Sequence, residues 1–288
     1  VINSAVFRLG FGIQSDFPIS ALTFGVSMSA LGLRLRIALL MMIAVAATIG
    51  LFLHAPIPQP ADYHFFADQE MLLGIPNFWN VFSNAPFLLV GGWGLFVLAR
   101  RPQPGLLPPL RGAYFCLFAG TLLVGFGSAY YHLDPNNSTL VGDRLPMAII
   151  FMALLSIVIG EYINVKWGSR LLTPLLILGI SSVVYWALTE TSGQGDLRPY
   201  LLVQFLTLLV IFLILLLFHP AFRPVAFFWI ALGTYGIAKV FELLDFPILQ
   251  TLGMVSGHTL KHLLAALSLC FLVLALTHRR IAAPPSTA

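Results

Sequence analysis

Gly127-Ser-Ala-Tyr-Tyr-His-Leu-Asp-Pro-Asn-Asn-Ser-Thr-Leu-Val-Gly-Asp-Arg-Leu-Pro146 is a polar interval between two long apolar runs. Ser128 and His132 stand at the end of the first run, and Asp143 at the start of the second. Residues four apart on a helix share one face about one turn apart, so Ser128 and His132 project together. Far downstream, Gly257-His258-Thr-Leu-Lys261-His262 opens another apolar run with two histidines at the same spacing. Three imidazoles and a carboxylate at segment ends, in a chain poor in charge, make a candidate metal site.

Composition sets the solvent. Hydrophobic residues are 59% of the 288 and charged residues 9%, and the mean hydropathy is +0.93. A water-facing surface cannot be built from such a chain, so the fold class is all-α, a polytopic transmembrane helical bundle. The net charge of +4 points to no nucleic acid, because the bases flank apolar runs, where they orient a protein in a bilayer. Cys116 and Cys270 both fall inside apolar runs and read as packing residues.

Eight runs are long enough to cross about 30 Å of hydrocarbon at ~1.5 Å per residue. They lie near 36–54, 79–99, 111–132, 144–163, 171–189, 199–219, 224–244 and 258–278. The first has a basic front but no small-x-small cleavage pattern near Leu51–His54, so it is expected to remain as a span. Residues 1–33 read as an N-terminal extension with little order, 34–56 as an additional N-terminal helix, 57–280 as a seven-helix domain and 281–288 as a tail. Alternate connections segregate by charge. One side collects Arg34, Arg36, Arg100, Arg101, Arg111, Lys166, Arg170, Arg223, Arg279 and Arg280, and the other collects most of the acids. By the positive-inside rule both termini are cytoplasmic, and His132, Asp143, His258 and His262 share the extracytoplasmic level.

Each group has a plainer reading beside the functional one. The histidines could be interfacial residues bonded to carbonyls; together with Asp143, at one level, they favour a metal. Zinc suits three neutral imidazoles plus an open position, while iron, copper or nickel also accept imidazole. Ser128 is a small packing residue or an oxyanion donor. Asp143 is a cap on its helix or a general base and acid. Lys239 and Glu242 are expected to pair structurally, and Lys261 to snorkel to the interface from a face away from the histidines. His64 falls in an acidic connection and has no assigned role.

The chain resembles the alkaline ceramidase family, within a wider group of seven-span membrane hydrolases. The matching pieces are Asn77-Phe-Trp-Asn-Val-Phe-Ser-Asn84, Ser128-x-x-x-His132, Asp143 and His258-x-x-x-His262. The resemblance implies a seven-helix core, zinc on His132, His258 and His262, and Asp143 and Ser128 close to the metal. It also implies an N-acylated membrane lipid such as ceramide as substrate. Eukaryotic members place Glu just before Phe-Trp-Asn; here it is Asn77, and Asp62, Asp68 and Glu70 are spaced differently, which speaks against a calcium site. The variant is closer to the bacterial branch, so a bacterial inner membrane is expected. A non-hydrolytic receptor on the same zinc bundle, or a proton-coupled transporter using Asp143, Glu242 and the histidines, are the alternatives.

Overall fold

The computed structural model describes residues 30–100 and 103–281. The expected extension through residue 29, Arg101 and the tail from 282 lie outside the described residues. Among the described residues, eight apolar helices are long enough to span a membrane. They are α1 (Ala30–Phe52), α2 (Phe78–Ala99), α3 (Arg111–Leu133), α4 (Asn137–Tyr162), α5 (Val165–Thr191), α6 (Arg198–Leu217), α7 (Ala226–Leu243) and α9 (Gly257–His278). A short α8 (Asp245–Leu252) precedes the last span. The protein is an all-α polytopic bundle.

Local chemistry starts the helices where the hydropathy profile alone does not. Asn136 accepts from the backbone N–H groups of Ser138 and Thr139 while Thr139 Oγ1 accepts from Asn136 N, a complete capping box. The fourth span therefore begins at Asn137, and Asp143 is nearly two turns inside it rather than at its cap. The Asn164 side chain caps α5 by accepting from Lys166 N and Trp167 N, and starts it at Val165, earlier than the apolar run. At the other end of the chain, α1 begins within the stretch expected to be extension. Its Arg36 reaches the Leu217 carbonyl at the end of α6, and Leu40 is the buried residue among the described side chains of α1.

The remaining spans pack in sequence order, α2 on α3, α3 on α4 and α4 on α5, with α9 closing the bundle against α2 and α7. Two glycines set the closest approaches. A Cβ at Gly127 would lie 2.0 Å from the Gly142 carbonyl oxygen. Pro146 has no N–H to offer that carbonyl in the helical i−4 position, so α3 packs directly onto a locally opened α4. A Cβ at Gly257 would lie 2.2 Å from Phe241 O, which lets the start of α9 tuck beneath the end of α7.

The two ends of the bundle differ. At the histidine end, the connection before α2 folds over the helices through a short 3-10 turn, Ala61–His64. It is pinned by Leu197 N donating to Ile57 O at 2.8 Å and Ala67 N donating to Asp245 Oδ2 at 2.9 Å. Arg198 pairs with Asp196 at 2.8 Å and reaches His54 O; that guanidinium holds the Asp196 carboxyl below the usual carboxylate range. At the opposite end Arg279 and Glu161 form a fully buried pair, joined by Tyr114 OH at 2.7 Å from Glu161 Oε1. A two-residue ribbon of β1 (Phe222–Arg223) with β2 (Arg280–Ile281) closes that end.

Candidate metal centre and its cavity

His132 comes from the last turn of α3, His258 and His262 from the first turns of α9. All three are buried, and one ligating atom from each lies within 4.8 Å of the others. His132 Nε2 and His258 Nε2 face each other at 3.2 Å. Two ring nitrogens at that separation cannot both carry a proton, so at least one lone pair points at a nitrogen. His262 Nε2 is buried with no hydrogen-bond partner among the described residues. A cation that accepts converging lone pairs satisfies all three at once, whereas no single group among the described residues does. The residues present therefore fit a metal.

The orientation of His262 is fixed from behind. Its Nδ1 lies 2.8 Å from Ser83 Oγ, and Ser83 Oγ donates to Asn80 O. With that hydroxyl proton committed, Nδ1–H donates and Nε2 keeps its lone pair toward the other rings. Asn80 is itself held, its N–H by Asp68 Oδ2 at 3.0 Å and its Oδ1 by Thr259 Oγ1 at 3.0 Å. Asp245 Oδ1 accepts from His258 N at 2.7 Å, capping α9 at the first of its two cluster histidines. The Phe66 ring lies edge-on to His132 and within 4.5 Å of His258 between ring centres, sealing the cluster on the side of the covering segment.

Asp143 and Ser128 are buried side by side, where α3 and α4 meet at Gly127 and Gly142, with the hydroxyl facing the carboxylate. Both line one cavity of about 610 Å³ together with His258 and His262. Beyond this polar end the cavity is walled by apolar side chains such as Ile211, Phe228 and Leu272. Its lining also includes Phe205, Leu243 and Phe246, which are exposed on the outside of the bundle, so it opens laterally between α6 and α7. A π-turn at Leu202–Leu206 rotates Gln204 into the interior beside Tyr235 OH at 3.2 Å.

Three other expectations meet the structure here. Lys239 and Glu242 do pair, but they line the cavity as well. Lys261 does not snorkel outward: its Nζ sits 3.0 Å from Glu242 Oε1 and 3.4 Å from His258 Nε2. Turning inward, it finds a carboxylate that the interface would not supply. His64 is a strut, bridging Tyr131 OH and Asn137 Oδ1 at 2.9 Å each. Asp68 spends its carboxylate on the backbone of Asn80 and Glu70, while Asp62 and Glu70 are exposed.

Ser83, Asn80, Asp245 and Phe66 carry no functional signal in isolation. Ser83 and Asn80 fall inside the Asn77–Asn84 motif, whose chemistry became legible only with His262 behind it.

A multi-span membrane protein with a buried three-histidine centre at the polar end of an apolar cavity is the class these features define. The ceramidase family profile matches residues 71–273, and the chain belongs to that family. The chain matches no curated protein and no solved structure.

Proposed function

We propose that this ceramidase-family hydrolase is a zinc-dependent intramembrane amidase. It would cleave the N-acyl bond of ceramide or a related N-acylated lipid to a fatty acid and a free amine. The observation that carries the reading is the convergence of three buried imidazoles with Asp143 and Ser128 at the end of a lipid-sized apolar cavity. His132, His258 and His262 would hold the ion. When bound, zinc supplies Lewis acidity, lowering the pKa of water toward ~7 and polarising a carbonyl.

The chain's own groups divide the remaining work. Asp143 accepts the proton of the attacking water at a carboxylate oxygen and returns one to the departing amine nitrogen. Ser128 donates its hydroxyl proton to the oxygen on which negative charge grows. The apolar walls hold the acyl chain, and the lateral opening admits it from the bilayer without passage through water. The acidic side carrying the site faces away from the cytoplasm, with both termini cytoplasmic, in what we take to be a bacterial inner membrane.

Fatty-acid release from a panel of ceramides and other N-acyl lipids, measured alongside the metal content of the purified protein, tests the proposal. Stoichiometric zinc with no release from any N-acyl lipid would leave the receptor reading in its place. The transporter reading gains little from the cavity, because most of the residues that wall it are apolar.

A further inference from the structure

We infer that Arg144 and Gln59 form an anion-recognition subsite, and that the preferred N-acyl lipid carries a carboxylate close to its amide. The word amide rests on the amidase reading; the subsite stands on geometry of its own.

Arg144 follows Asp143 in α4 and lines the same cavity, only 5% exposed. Its guanidinium is packed among the rings of Trp186 at 4.2 Å, Tyr200 at 4.9 Å and Tyr63 at 5.3 Å. Aromatic faces stabilise the charge but accept no hydrogen bond in the guanidinium plane. Nη2 donates to Gln59 Oε1 at 2.6 Å, and Nη1 is buried without a partner among the described residues. The other buried arginines among the described residues have acids, Arg198 with Asp196 and Arg279 with Glu161. Both cavity lysines share Glu242. Arg144 has no carboxylate within ion-pair distance among those residues.

Gln59 completes the site. A guanidinium only donates, so the Gln59 amide must present its oxygen to Arg144 and turn Nε2 away. That Nε2 is also buried, unpartnered and on the cavity wall. Glu190 fixes the arrangement from outside, Oε1 accepting from Gln59 N at 2.6 Å and from Trp186 Nε1 at 3.1 Å. Two rigidly held donors, one of them charged, therefore line a space that already admits lipid.

A buried guanidinium with spare donors is costly until an anion meets it. Ceramide brings no charge. Two donors match the two oxygens of a carboxylate. Asp143 and Arg144 are consecutive in α4 and line the same cavity, so a lipid whose amide meets Asp143 would carry its anion near that amide to reach Arg144. N-acyl amino acids place a carboxylate one carbon from the amide nitrogen, which is the class this geometry selects.

The test compares N-palmitoylglycine with N-palmitoylethanolamine, which differ at the carboxylate alone, and adds ceramide 1-phosphate. Full-length metal-loaded protein is assayed as wild type, Arg144→Gln and Gln59→Glu. The last variant keeps the side-chain shape and gives Arg144 an internal counterion, so it retains the packing while cancelling the subsite. The glycine lipid should exceed the ethanolamide in kcat/KM by about tenfold or more in wild type, as expected for a charge-assisted pair. That ratio should fall toward one in both variants through KM and not kcat. An equal or inverted preference in wild type, or a ratio unmoved by Gln59→Glu, overturns the inference. A preference for ceramide 1-phosphate overturns the carboxylate assignment. The same lipids are also scored by the thermal unfolding midpoint, which needs no turnover. A larger rise with N-palmitoylglycine, lost in Gln59→Glu, upholds the subsite even if no amide is cut; equal rises remove it.

Discussion

Replacing His262 with Ala removes the imidazole whose Nε2 has no partner among the described residues. The expected outcome is loss of both bound zinc and hydrolysis, read by metal analysis and fatty-acid release; full zinc occupancy would exclude His262 as a ligand. Asp143→Asn tests a different function, since the amide retains the shape but cannot take a proton. Metal should stay while turnover falls roughly a hundredfold or more, the scale of a lost general base; unchanged turnover would end that assignment. Ser83→Ala probes the group behind the ligand. Without the hydroxyl 2.8 Å from Nδ1, His262 loses the bond that sets its tautomer, and zinc affinity should weaken about 10- to 100-fold. Competition with a calibrated chelator measures that directly, and an unaltered affinity would make Ser83 a bystander.

At the level of the helices, the site depends on how closely α3 and α4 approach. Gly127→Ala places a methyl group 2.0 Å from the Gly142 carbonyl, and backbone cannot yield as a side-chain tip can. Separation of the two helices should cost about 1–3 kcal/mol and part Ser128 from Asp143, lowering both the unfolding midpoint and turnover. Gly236→Ala is the control, because its added Cβ meets nothing within 4 Å. Equal behaviour of the two variants would mean the contact is not limiting. Sequence hydropathy found all eight spans and brought the histidines to one level, because burial in lipid leaves long unbroken signals. It could not see that Asn136 starts α4, since a capping box is a matter of local hydrogen bonds and not of hydropathy. Nor could it orient Lys261: a long side chain reaches interface or interior equally well, and only the position of Glu242 decides. The setting of Arg144 is equally invisible in the sequence, its aromatic enclosure being assembled from Tyr63, Trp186 and Tyr200 on three separate segments.

Across the whole molecule, the histidine cluster and the buried Arg279–Glu161 pair occupy opposite ends. The family match begins at residue 71, and we propose that 57–280 is the catalytic unit, with 34–56 as an accessory helix. α1 is largely exposed to its surroundings, so a chain starting at His54 should keep zinc and hydrolysis with a lower unfolding midpoint; loss of metal from folded truncated protein would contradict this. The far end is held by the pair of Arg279 and Glu161, with Nη1 to Oε2 at 2.7 Å and Nη2 to Oε1 at 3.0 Å. Phe222 and Phe228 both pack on the guanidinium at 4.8 Å. Removing one member of such a pair strands the other charge in the interior. Glu161→Ala should therefore destabilise the protein by roughly 3–5 kcal/mol. Glu161 closes α4 at the end opposite Asp143, so the fraction that folds should bind zinc in full and turn over at the wild-type kcat. Unfolding midpoints and turnover normalised to folded, metal-bound protein separate the two effects. A fall in normalised kcat would show that the two ends are coupled through α4, and the division between a chemical end and a structural end would have to be abandoned.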